Sequence, residues 1–444
     1  MSLPPGPSAP PAVQTIRWLL GPIDFMNGCR RRFGDAFSVK FLGFTTPMVM
    51  ISDPDSIRTL YRSRENGLPP GRTVALEPVM GPRSVLLLEG AEHLSRRKLM
   101  LPAFHGERMR RYESVIAEAA TTEIESWPLG EPFPIHPRMQ AVTLEVILRA
   151  VFGVTDPARL ERLRAMLALM LANMASPRLQ IRALVAQRFG REDPIERLRQ
   201  QTRTVDDLLF AEIAERRADP MLDEREDILS MLVSARFEDG EPMEDGELRD
   251  QLITLLLAGH ETTATALAWT IDLLLRNPGP MARLRAEIDD GAGDEYLRAV
   301  IAEGLRLRPV VPIAGRRLGS ELRVGSRVLE PGTDVTPAIW LTHTRADVYP
   351  EPLEFRPERF LADAPDTYAW IPFGGGVRRC LGAAFAEFEM RIALRELLVR
   401  CELRGARSAP ERIARRNITF SPKDGTPVVL TARRPAPERA PAAA

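Results

Sequence analysis

The sequence predicts one large, mainly helical domain that also contains small β-sheets (an α+β protein). Helix-type spacing of apolar residues recurs over most of the 444 residues, whereas segments rich in β-formers are few and short. No Ser/Gly-rich linker and no internal repeat divides the chain, although its length alone would suggest about two or three domains. We therefore expect a single domain over residues 13–434, between a Pro-rich irregular start at 1–12 and an irregular end at 435–444.

The first half of this pattern predicts two strands, then a long loop, then helices. The segments Phe37–Phe41 and Met48–Ile51 are rich in β-formers and lie on either side of a turn at Gly43. The segment Leu68–Val85 is rich in proline and glycine and predicts a long loop, which in a compact domain usually covers a ligand. Amphipathic helices are predicted at Glu113–Trp127, Met139–Phe152, Ala158–Met174 and Thr202–Arg217.

The longest helical pattern spans Glu247–Arg276 and ends at Asn277-Pro-Gly. At ~1.5 Å per residue such a helix would be about 45 Å long, enough to cross a whole domain. Its centre, Ala258-Gly-His-Glu-Thr-Thr263, is unusual because a glycine and several polar residues interrupt an otherwise apolar segment. Glycine weakens a helix and buried polar groups cost free energy, so we expect a functional reason for this sextet.

The second half predicts short strands and one more long helix around a single cysteine. Strands are expected at Arg323–Leu329 and Asp334–Thr336, on either side of a Pro-Gly turn. The stretch Phe373–Gly382 (Phe-Gly-Gly-Gly-Val-Arg-Arg-Cys-Leu-Gly) then places Cys380 before an apolar run, Leu381–Leu398, that predicts a helix. Glycines let the backbone approach a bulky group closely, and a helix N-terminus favours a thiolate. With two arginines beside it, such a thiolate suits a metal that bears anionic groups, although a lone cysteine is more often a buried structural thiol.

Composition excludes several classes of function. The 60 basic and 60 acidic side chains cancel, which argues against a nucleic-acid-binding protein. Three cysteines are too few for a disulfide framework, a four-cysteine zinc site or an all-cysteine iron–sulfur cluster. No run approaches the ~20 apolar residues of a membrane span, and the start lacks a signal-peptide pattern. We expect a cytoplasmic monomer without a membrane anchor.

The spacing of Phe373, Gly376, Arg378, Cys380 and Gly382 resembles the haem-ligand signature of the cytochrome P450 family. This resemblance implies haem b (iron protoporphyrin IX) with Cys380 as the axial ligand of the iron. It places the haem between the long central helix and the helix that follows Cys380, with Phe373 and Arg378 among the cofactor-binding residues.

The sextet in the long helix resembles the oxygen-activation motif of the same family. The resemblance implies that Gly259 leaves room for O2, that Thr262 holds the distal oxygen atom and that Glu261 relays protons from solvent. His260 receives no role and is expected at the helix surface or against a loop.

Further matches follow in the family's order along the chain. His93 and Arg97 are four residues apart in a basic helical segment, Glu92–Phe104, and would otherwise form a solvated face. The resemblance places both on the haem propionates, together with Arg378 and Arg316, although a slip of one residue would exchange Arg316 for its neighbour Arg317.

The pair Glu303 and Arg306 lies three residues apart on a helical pattern. Alone, it would most simply be a surface ion pair that contributes a few tenths of a kcal/mol. With Arg359 in the later segment Phe355–Phe360, it resembles a buried Glu–Arg–Arg network of the family. A structural role follows from this resemblance.

The implied reaction is monooxygenation of a lipophilic small molecule by O2, as hydroxylation or epoxidation. A fatty acid, a terpenoid and a polyketide intermediate all remain open as substrates. Apolar pocket residues are expected at Ala258, Val310, Val311 and Ile313. The Met- and Leu-rich segment Met166–Ile181 is either core or an adaptable cover of the substrate.

Electrons are expected from a separate ferredoxin and its NAD(P)H-dependent reductase, since the haem motifs occupy the length of the chain. Arg96, Lys98 and Arg379 form the expected docking site for an acidic ferredoxin. Two alternatives remain. One is a peroxide-driven or rearranging haem-thiolate enzyme, and the other is a haem protein that binds or senses a ligand. The enzyme class typically departs from the acid–alcohol pair, and the sensor has no need of it, so the presence of Glu261 and Thr262 favours the monooxygenase.

Overall fold

The computed structural model describes residues 3–42, 44, 46–69, 77, 79–106, 108–154, 156–174, 194–361, 365–416 and 418–435. Its helices are α1 (Pro11–Leu20), α2 (Pro22–Phe33), α3 (Pro54–Arg62), α4 (Gly90–Met100), α5 (Arg108–Arg111), α6 (Glu113–Glu125), α7 (Ile135–Val146), α8 (Pro157–Met174), α9 (Pro194–Ala218), α10 (Ile228–Ser234), α11 (Asp245–Arg276), α12 (Pro278–Asp289), α13 (Glu295–Leu307), α14 (Ile339–His343) and α15 (Ala383–Arg400). Its strands are β1 (Ala36–Val39), β2 (Met48–Ile51), β3 (Pro132–Pro134), β4 (Arg316–Arg317), β5 (Leu322–Val324), β6 (Arg327–Leu329), β7 (Asp334–Pro337), β8 (Cys401–Gly405), β9 (Ile413–Arg416), β10 (Thr419–Pro422) and β11 (Pro427–Arg433).

Helix α11 passes through the main hydrophobic core and packs against α7, α9, α13 and α15. It is apolar around most of its circumference, which is the pattern of a helix buried on all sides. Leu252, Leu256 and Trp269 on this helix have no accessible surface. The helix carries the polar sextet and packs against α15, which follows the cysteine loop. It therefore fixes the position of the sextet relative to that loop.

In the described part of the chain, four small sheets complete the fold. The largest has the strand order β1-β2-β7-β4, with β1 and β2 antiparallel and β2 and β7 parallel. The others are β3-β11-β8 and the two-stranded pairs β9-β10 and β5-β6. One face of the largest sheet packs with α1 and α2 in a second core around Trp18, Phe25 and Phe37, which lies apart from the main core.

Most predicted elements are present, with shifted ends. Strand β2 is as predicted, β1 ends at Val39, and the predicted strand Arg323–Leu329 is a hairpin of two strands. The helix predicted at Met139–Phe152 begins at Ile135 and ends in a π-helical turn, Ile147–Val151. The first helix begins at Pro11, inside the stretch expected to be irregular, because proline is well suited to the first turn of a helix.

Parts of five expectations lie outside the described residues. These parts are residues 1–2 of the irregular start, Gly43 of the expected turn, 70–76 and 78 of the expected covering loop, 175–181 of the Met-rich segment and 436–444 of the expected tail. Among the helices that are described, none combines the length and the apolar character needed to cross a membrane.

Candidate functional site

The cysteine loop, residues 373–382, is a tight turn closed by backbone hydrogen bonds. Gly374 and Gly376 have positive φ values of 67° and 65°, which side-chain-bearing residues rarely adopt. The Cys380 N–H donates to the Phe373 carbonyl at 2.9 Å, and the Gly382 N–H donates to the Cys380 sulfur. The loop thus holds one sulfur atom in a fixed direction at the start of α15.

The group that the glycines allow to approach is Tyr61 of α3, which the sequence analysis did not identify. A Cβ on Gly375 would lie 2.2 Å from Tyr61 Cδ2, and one on Gly376 would lie 2.3 Å from the Tyr61 carbonyl oxygen. Both positions are therefore restricted to glycine by packing against α3. Glycine at this loop was expected to make room for a bulky bound group, but at these two positions the space is filled by Tyr61.

Cys380 is the one cysteine with an accessible side chain, since Cys29 and Cys401 are buried. Surrounding protein nonetheless raises the pKa of the Cys380 thiol, against the Gly382 N–H, Arg97 and Arg379, which lower it. An accessible sulfur that is also enclosed faces a hollow inside the fold and not the outer surface. Burial raises the pKa of Cys29 and of Cys401 to about 11, so these two thiols are unreactive by comparison.

Three arginines surround a buried histidine close to this loop. We call His93, Arg97, Arg316 and Arg378 the arginine cluster. Burial, followed by the charges of Arg378, Arg97 and Arg316, lowers the pKa of His93 to about 4, so this imidazole is neutral at pH 7. Burial also lowers the pKa of Arg97 and of Arg316, and within the described ranges neither has an acidic side chain among its charged neighbours. Buried cations without a counter-ion are costly, and an anionic ligand would remove that cost.

The choice between Arg316 and Arg317 follows from their contacts. The Arg316 guanidinium lies 5.4 Å from the centre of the Tyr61 ring, and its Nη2 donates to the Gly375 carbonyl at 3.4 Å. Arg317 points the other way and donates to both carboxylate oxygens of Asp334, at 2.9 and 3.1 Å. Arg316 therefore contacts the cysteine loop, whereas Arg317, its neighbour on β4, is ion-paired with Asp334.

Part of the polar sextet of helix α11 has accessible surface. Ala258 is exposed although it lies at the centre of a buried helix, and Thr262, one turn later, is partly accessible. The Thr262 hydroxyl donates to the Ala258 carbonyl at 2.5 Å, which leaves its oxygen able to accept another hydrogen bond. A Cβ on Gly259 would point at Ile147 Cδ1, 3.4 Å away in the π-helical turn, and its role toward O2 stays a prediction.

Glu261 points into a buried polar group between α7, α11 and β10, which we call the Glu261 cluster. Gln140 Nε2 donates to Glu261 Oε2, and Thr265 and Ser421 donate to Oε1 at 3.4 and 3.5 Å. His136 Nε2 lies 3.7 Å from the same Oε1. Burial raises the pKa of Glu261 despite these donors, so the carboxyl holds a proton more readily than an exposed one.

His260 lies next to this cluster and is buried, which corrects the expectation of a helix-surface residue. Its Nδ1 is 3.0 Å from the Thr143 hydroxyl of α7. Burial lowers the pKa of His260 to about 4, so it ties α11 to α7 as a neutral hydrogen-bonding group. Burial, with Arg416 and His260, likewise lowers the pKa of His136 to about 3.

Glu303, Arg306 and Arg359 meet in what we call the Glu303 network. Arg306 donates to both carboxylate oxygens of Glu303 at 2.6 and 2.8 Å, and Arg359 Nε lies 3.4 Å from Glu303 Oε1. Arg306 also donates to the carbonyls of His343 and Pro352, at 2.7 and 2.8 Å. Glu303 and Arg306 have no accessible surface, so this is a buried pair with its hydrogen bonds satisfied and not a surface pair.

His343 connects this network to the cysteine loop, and the sequence held no signal for it. Its Nδ1 is 3.1 Å from the Arg306 carbonyl, and its Nε2 accepts from the Ile371 N–H at 2.9 Å. The Ile371 carbonyl in turn accepts from the Gly374 N–H at 3.0 Å. His343, which is 37 residues from Arg306 and 37 from Cys380 in the sequence, thus links α13 to the cysteine loop through hydrogen bonds.

Several expected pocket and docking residues have other contacts. Val310 is buried in the main core, and Ile313 packs against the second core, whereas Ala258 is accessible. Val311 is partly buried. Arg96 donates to the buried Glu247 at 2.7 Å and is therefore occupied within the fold.

The remaining two docking residues are accessible. Lys98 forms an exposed pair with Glu238 at 2.6 Å, and Arg379 is exposed next to Cys380. Exposed pairs contribute little to stability, so Lys98 is available to a partner at small cost.

The donor set fits a haem. One accessible sulfur can ligate a metal from one side, and Arg97 and Arg316 supply cations with no carboxylate among their charged neighbours in the described ranges, where anionic propionates would be favourable. Ala258 and Thr262 supply a second accessible surface that is mostly apolar with one hydroxyl. The arrangement suits a group that is flat and apolar in its body and negatively charged at its edge.

Comparison with known proteins agrees with this geometry. Residues 4–427 match the family described as Cytochrome P450. The chain is 42% identical to cytochrome P450 135B1 of Mycobacterium tuberculosis over 442 residues, 98% of this chain and 92% of that one. It is 40% identical over 437 residues to cytochrome P450 137 of the same species, 96% of this chain and 90% of that one.

Solved structures show the same fold. Cyanobacterial CYP120A1 with bound retinoic acid superposes with a TM-score of 0.82 at 24% identity, over 97% of this chain and 99% of that one. The haem domain of cytochrome P450DA gives a TM-score of 0.86 at 21% identity, over 98% of each chain. The predicted fold class, a single mainly helical domain with small sheets, is confirmed. The chain belongs to the cytochrome P450 family, a family of monooxygenases whose cofactor is haem.

Proposed function

We propose that this P450 hydroxylates or epoxidises a lipophilic small molecule, with O2 as the oxidant and electrons from a separate ferredoxin. Haem, bound through Cys380, would supply the iron at which O2 is reduced. One oxygen atom enters the substrate and the other leaves as water, with two electrons and two protons consumed. His93, Arg97, Arg316 and Arg378 would hold the propionates.

The observation that carries this proposal is the accessible hydroxyl of Thr262 beside Glu261, whose half-buried carboxyl has a raised pKa. Thr262 Oγ1 donates to a carbonyl of its own helix and keeps lone pairs free to accept a second hydrogen bond. Glu261 has a raised pKa and is held by Gln140, Thr265 and Ser421. A carboxyl with a raised pKa keeps its proton to a higher pH than an exposed one, which suits a group that donates protons. We assign proton delivery to this pair, which a ligand-sensing haem protein would not need.

The test is the amount of product formed per NAD(P)H consumed. In Thr262→Ala we expect folding and haem content to be retained while most electrons are lost to hydrogen peroxide. Thr262→Ser, which keeps the hydroxyl, should retain the wild-type ratio. Glu261→Gln should slow turnover about 10²-fold and increase the solvent isotope effect. An unchanged ratio in Thr262→Ala would reject the proton-delivery role and favour the peroxide-driven or sensing alternatives.

For the electron donor, the exposed cations near Cys380 support an acidic ferredoxin. Arg379 and Lys98 are accessible, so their reversal to glutamate should slow reduction about tenfold at low salt, with the difference shrinking as salt rises. Arg323→Glu, an exposed arginine on β5, is the matched control and should leave the rate unchanged. Equal rates in all three proteins would move the docking site elsewhere.

The accessible part of α11 supports an apolar substrate, because Ala258 offers only a methyl group beside Thr262. Titration of the haem protein with fatty acids, terpenoids and polyketide intermediates, read as the haem spin-state shift, would identify the class. A shift produced only by polar or charged compounds would contradict a lipophilic substrate.

A further inference from the structure

Helix α1 is apolar on both of its sides. Its sequence, PAVQTIRWLL, contains one charged residue, Arg17. Gln14 and Trp18 are buried against the second core, while Ile16 and Leu20, one turn apart on the outer face, are 54% and 84% exposed. A helix that is apolar all round is normally buried all round, so the outer face of α1 lacks a covering surface within the described residues.

The turn after β1 extends this outer face. The Lys40 N–H donates to Gln14 Oε1 at 3.0 Å, and the Leu42 N–H donates to Thr15 Oγ1 at 2.9 Å, which fixes the turn on α1. Phe44 then packs on Phe41, with 6.5 Å between the ring centres. Leu42 and Phe44 are 59% and 46% exposed. The turn therefore adds two large apolar side chains to those of the helix.

We call the combined surface the N-terminal apolar patch. Of the fifteen large hydrophobic residues that are exposed in the described part of the chain, six lie in it: Val13, Ile16, Leu19, Leu20, Leu42 and Phe44. Single exposed hydrophobic residues are ordinary, but a contiguous group marks an interaction site.

The surroundings of the patch are positively charged. Residues 1–44 contain five basic and two acidic side chains, whereas the whole chain is neutral. Arg17 and Lys40, which lie on the two segments of the patch, are exposed. Of the two acidic residues, Asp35 is already bound by Arg30 and Arg345, and Asp24 is exposed in the first turn of α2. Apolar side chains flanked by exposed cations match the surface of an anionic lipid bilayer, which offers hydrocarbon below a layer of negative headgroups.

We propose that the N-terminal apolar patch is a peripheral membrane-contact site for anionic lipid. A second copy of the chain fits less well, because a twofold contact pairs the patch with an identical patch and so brings two positively charged surroundings together. The proposal does not depend on the reaction or on the substrate proposed above, and it needs no membrane-spanning segment.

The test is flotation of the haem-loaded protein with large vesicles. Phosphatidylcholine vesicles with an equal share of phosphatidylglycerol should bind the protein, whereas phosphatidylcholine alone should bind it much more weakly. Ile16→Asp combined with Leu20→Asp should reduce binding at least about tenfold, since two aliphatic side chains no longer enter the lipid. Arg17→Gln with Lys40→Gln should remove most of the preference for anionic vesicles.

Leu353→Asp is the matched control, because Leu353 is 69% exposed and lies outside the patch. It should bind like the wild type, and thermal unfolding of every variant should match as well. Equal vesicle binding by the wild type and the Ile16/Leu20 variant would overturn the proposal, as would no binding to anionic vesicles at low salt. A dimer in sedimentation velocity that only this variant abolishes would assign the patch to a second copy instead.

Discussion

The Glu303 network and the arginine cluster are both buried groups of charges, and they differ in what surrounds each charge. In the network, Glu303 and Arg306 bind each other, and Arg306 also bonds the carbonyls of His343 and Pro352. In the cluster, Arg316 is buried and Arg97 is half-buried, and neither has a carboxylate among its charged neighbours in the described part of the chain. A buried charge that the protein itself satisfies supports the fold, whereas one that it leaves without a counter-ion indicates a ligand.

The largest effect is expected from opening the satisfied network. Glu303→Gln leaves the Arg306 guanidinium buried without a charge partner, and we expect a loss of about 3–5 kcal/mol in the free energy of unfolding by urea. Arg298→Ala on the same helix is the control. Arg298 is an exposed residue paired with Asp294, so its loss should cost at most about 1 kcal/mol. Similar losses in both variants would remove the distinction between the network and an ordinary surface pair.

A smaller effect is expected from the cluster, on the cofactor more than on the fold. Arg316→Leu removes one charge-assisted hydrogen-bond donor to the propionates, and haem should transfer to a haem-free acceptor protein about 10- to 100-fold faster. Arg317→Leu loses an ion pair with Asp334 on the neighbouring strand and should leave the transfer rate unchanged. If both variants lost haem equally fast, the cluster would not be the anion site.

The smallest effect is expected from a third buried ionisable group, which can be compared with the Glu303 network and the arginine cluster. Glu389 on α15 is 3% exposed, and burial raises its pKa to about 8 from 4.5. The folded protein therefore keeps a proton that the unfolded chain releases, so its stabilising effect is complete below about pH 4.5 and is lost as pH rises toward 8. Near neutral pH the wild type should lose roughly 1 kcal/mol per pH unit relative to Glu389→Gln. Parallel pH dependences of the urea unfolding free energy would contradict this.

Residues close together in sequence were the predictable part of the site. The cysteine loop and the pair Glu303–Arg306 are defined by short spacings, and strand β2 is defined by its β-forming residues. Partners from distant segments were missed, because only packing brings them together. Tyr61 lies more than 300 residues from the glycines that it restricts, and Gln140 lies 121 residues from Glu261.

The directions in which side chains point could not be predicted for the same reason, because they depend on packing between distant segments. Gly259 and Arg96 were correctly placed on helices, but the direction of a Cβ or a guanidinium depends on the neighbour that a helix meets. Ile147 and Glu247 are those neighbours, and no local pattern names them. The roles given to Cys380, Thr262 and the propionate arginines remain predictions for the experiments above.

Because the three cysteines differ in burial, their reaction with a thiol reagent would report what share of the protein carries haem. Two thiols with a pKa of about 11 are hidden, so a maleimide or a disulfide reagent applied to the folded protein has one sulfur atom to find. That sulfur is also the one that iron would take. If Cys380 ligates the iron as proposed, reagent incorporated per chain would therefore count the molecules that lack haem.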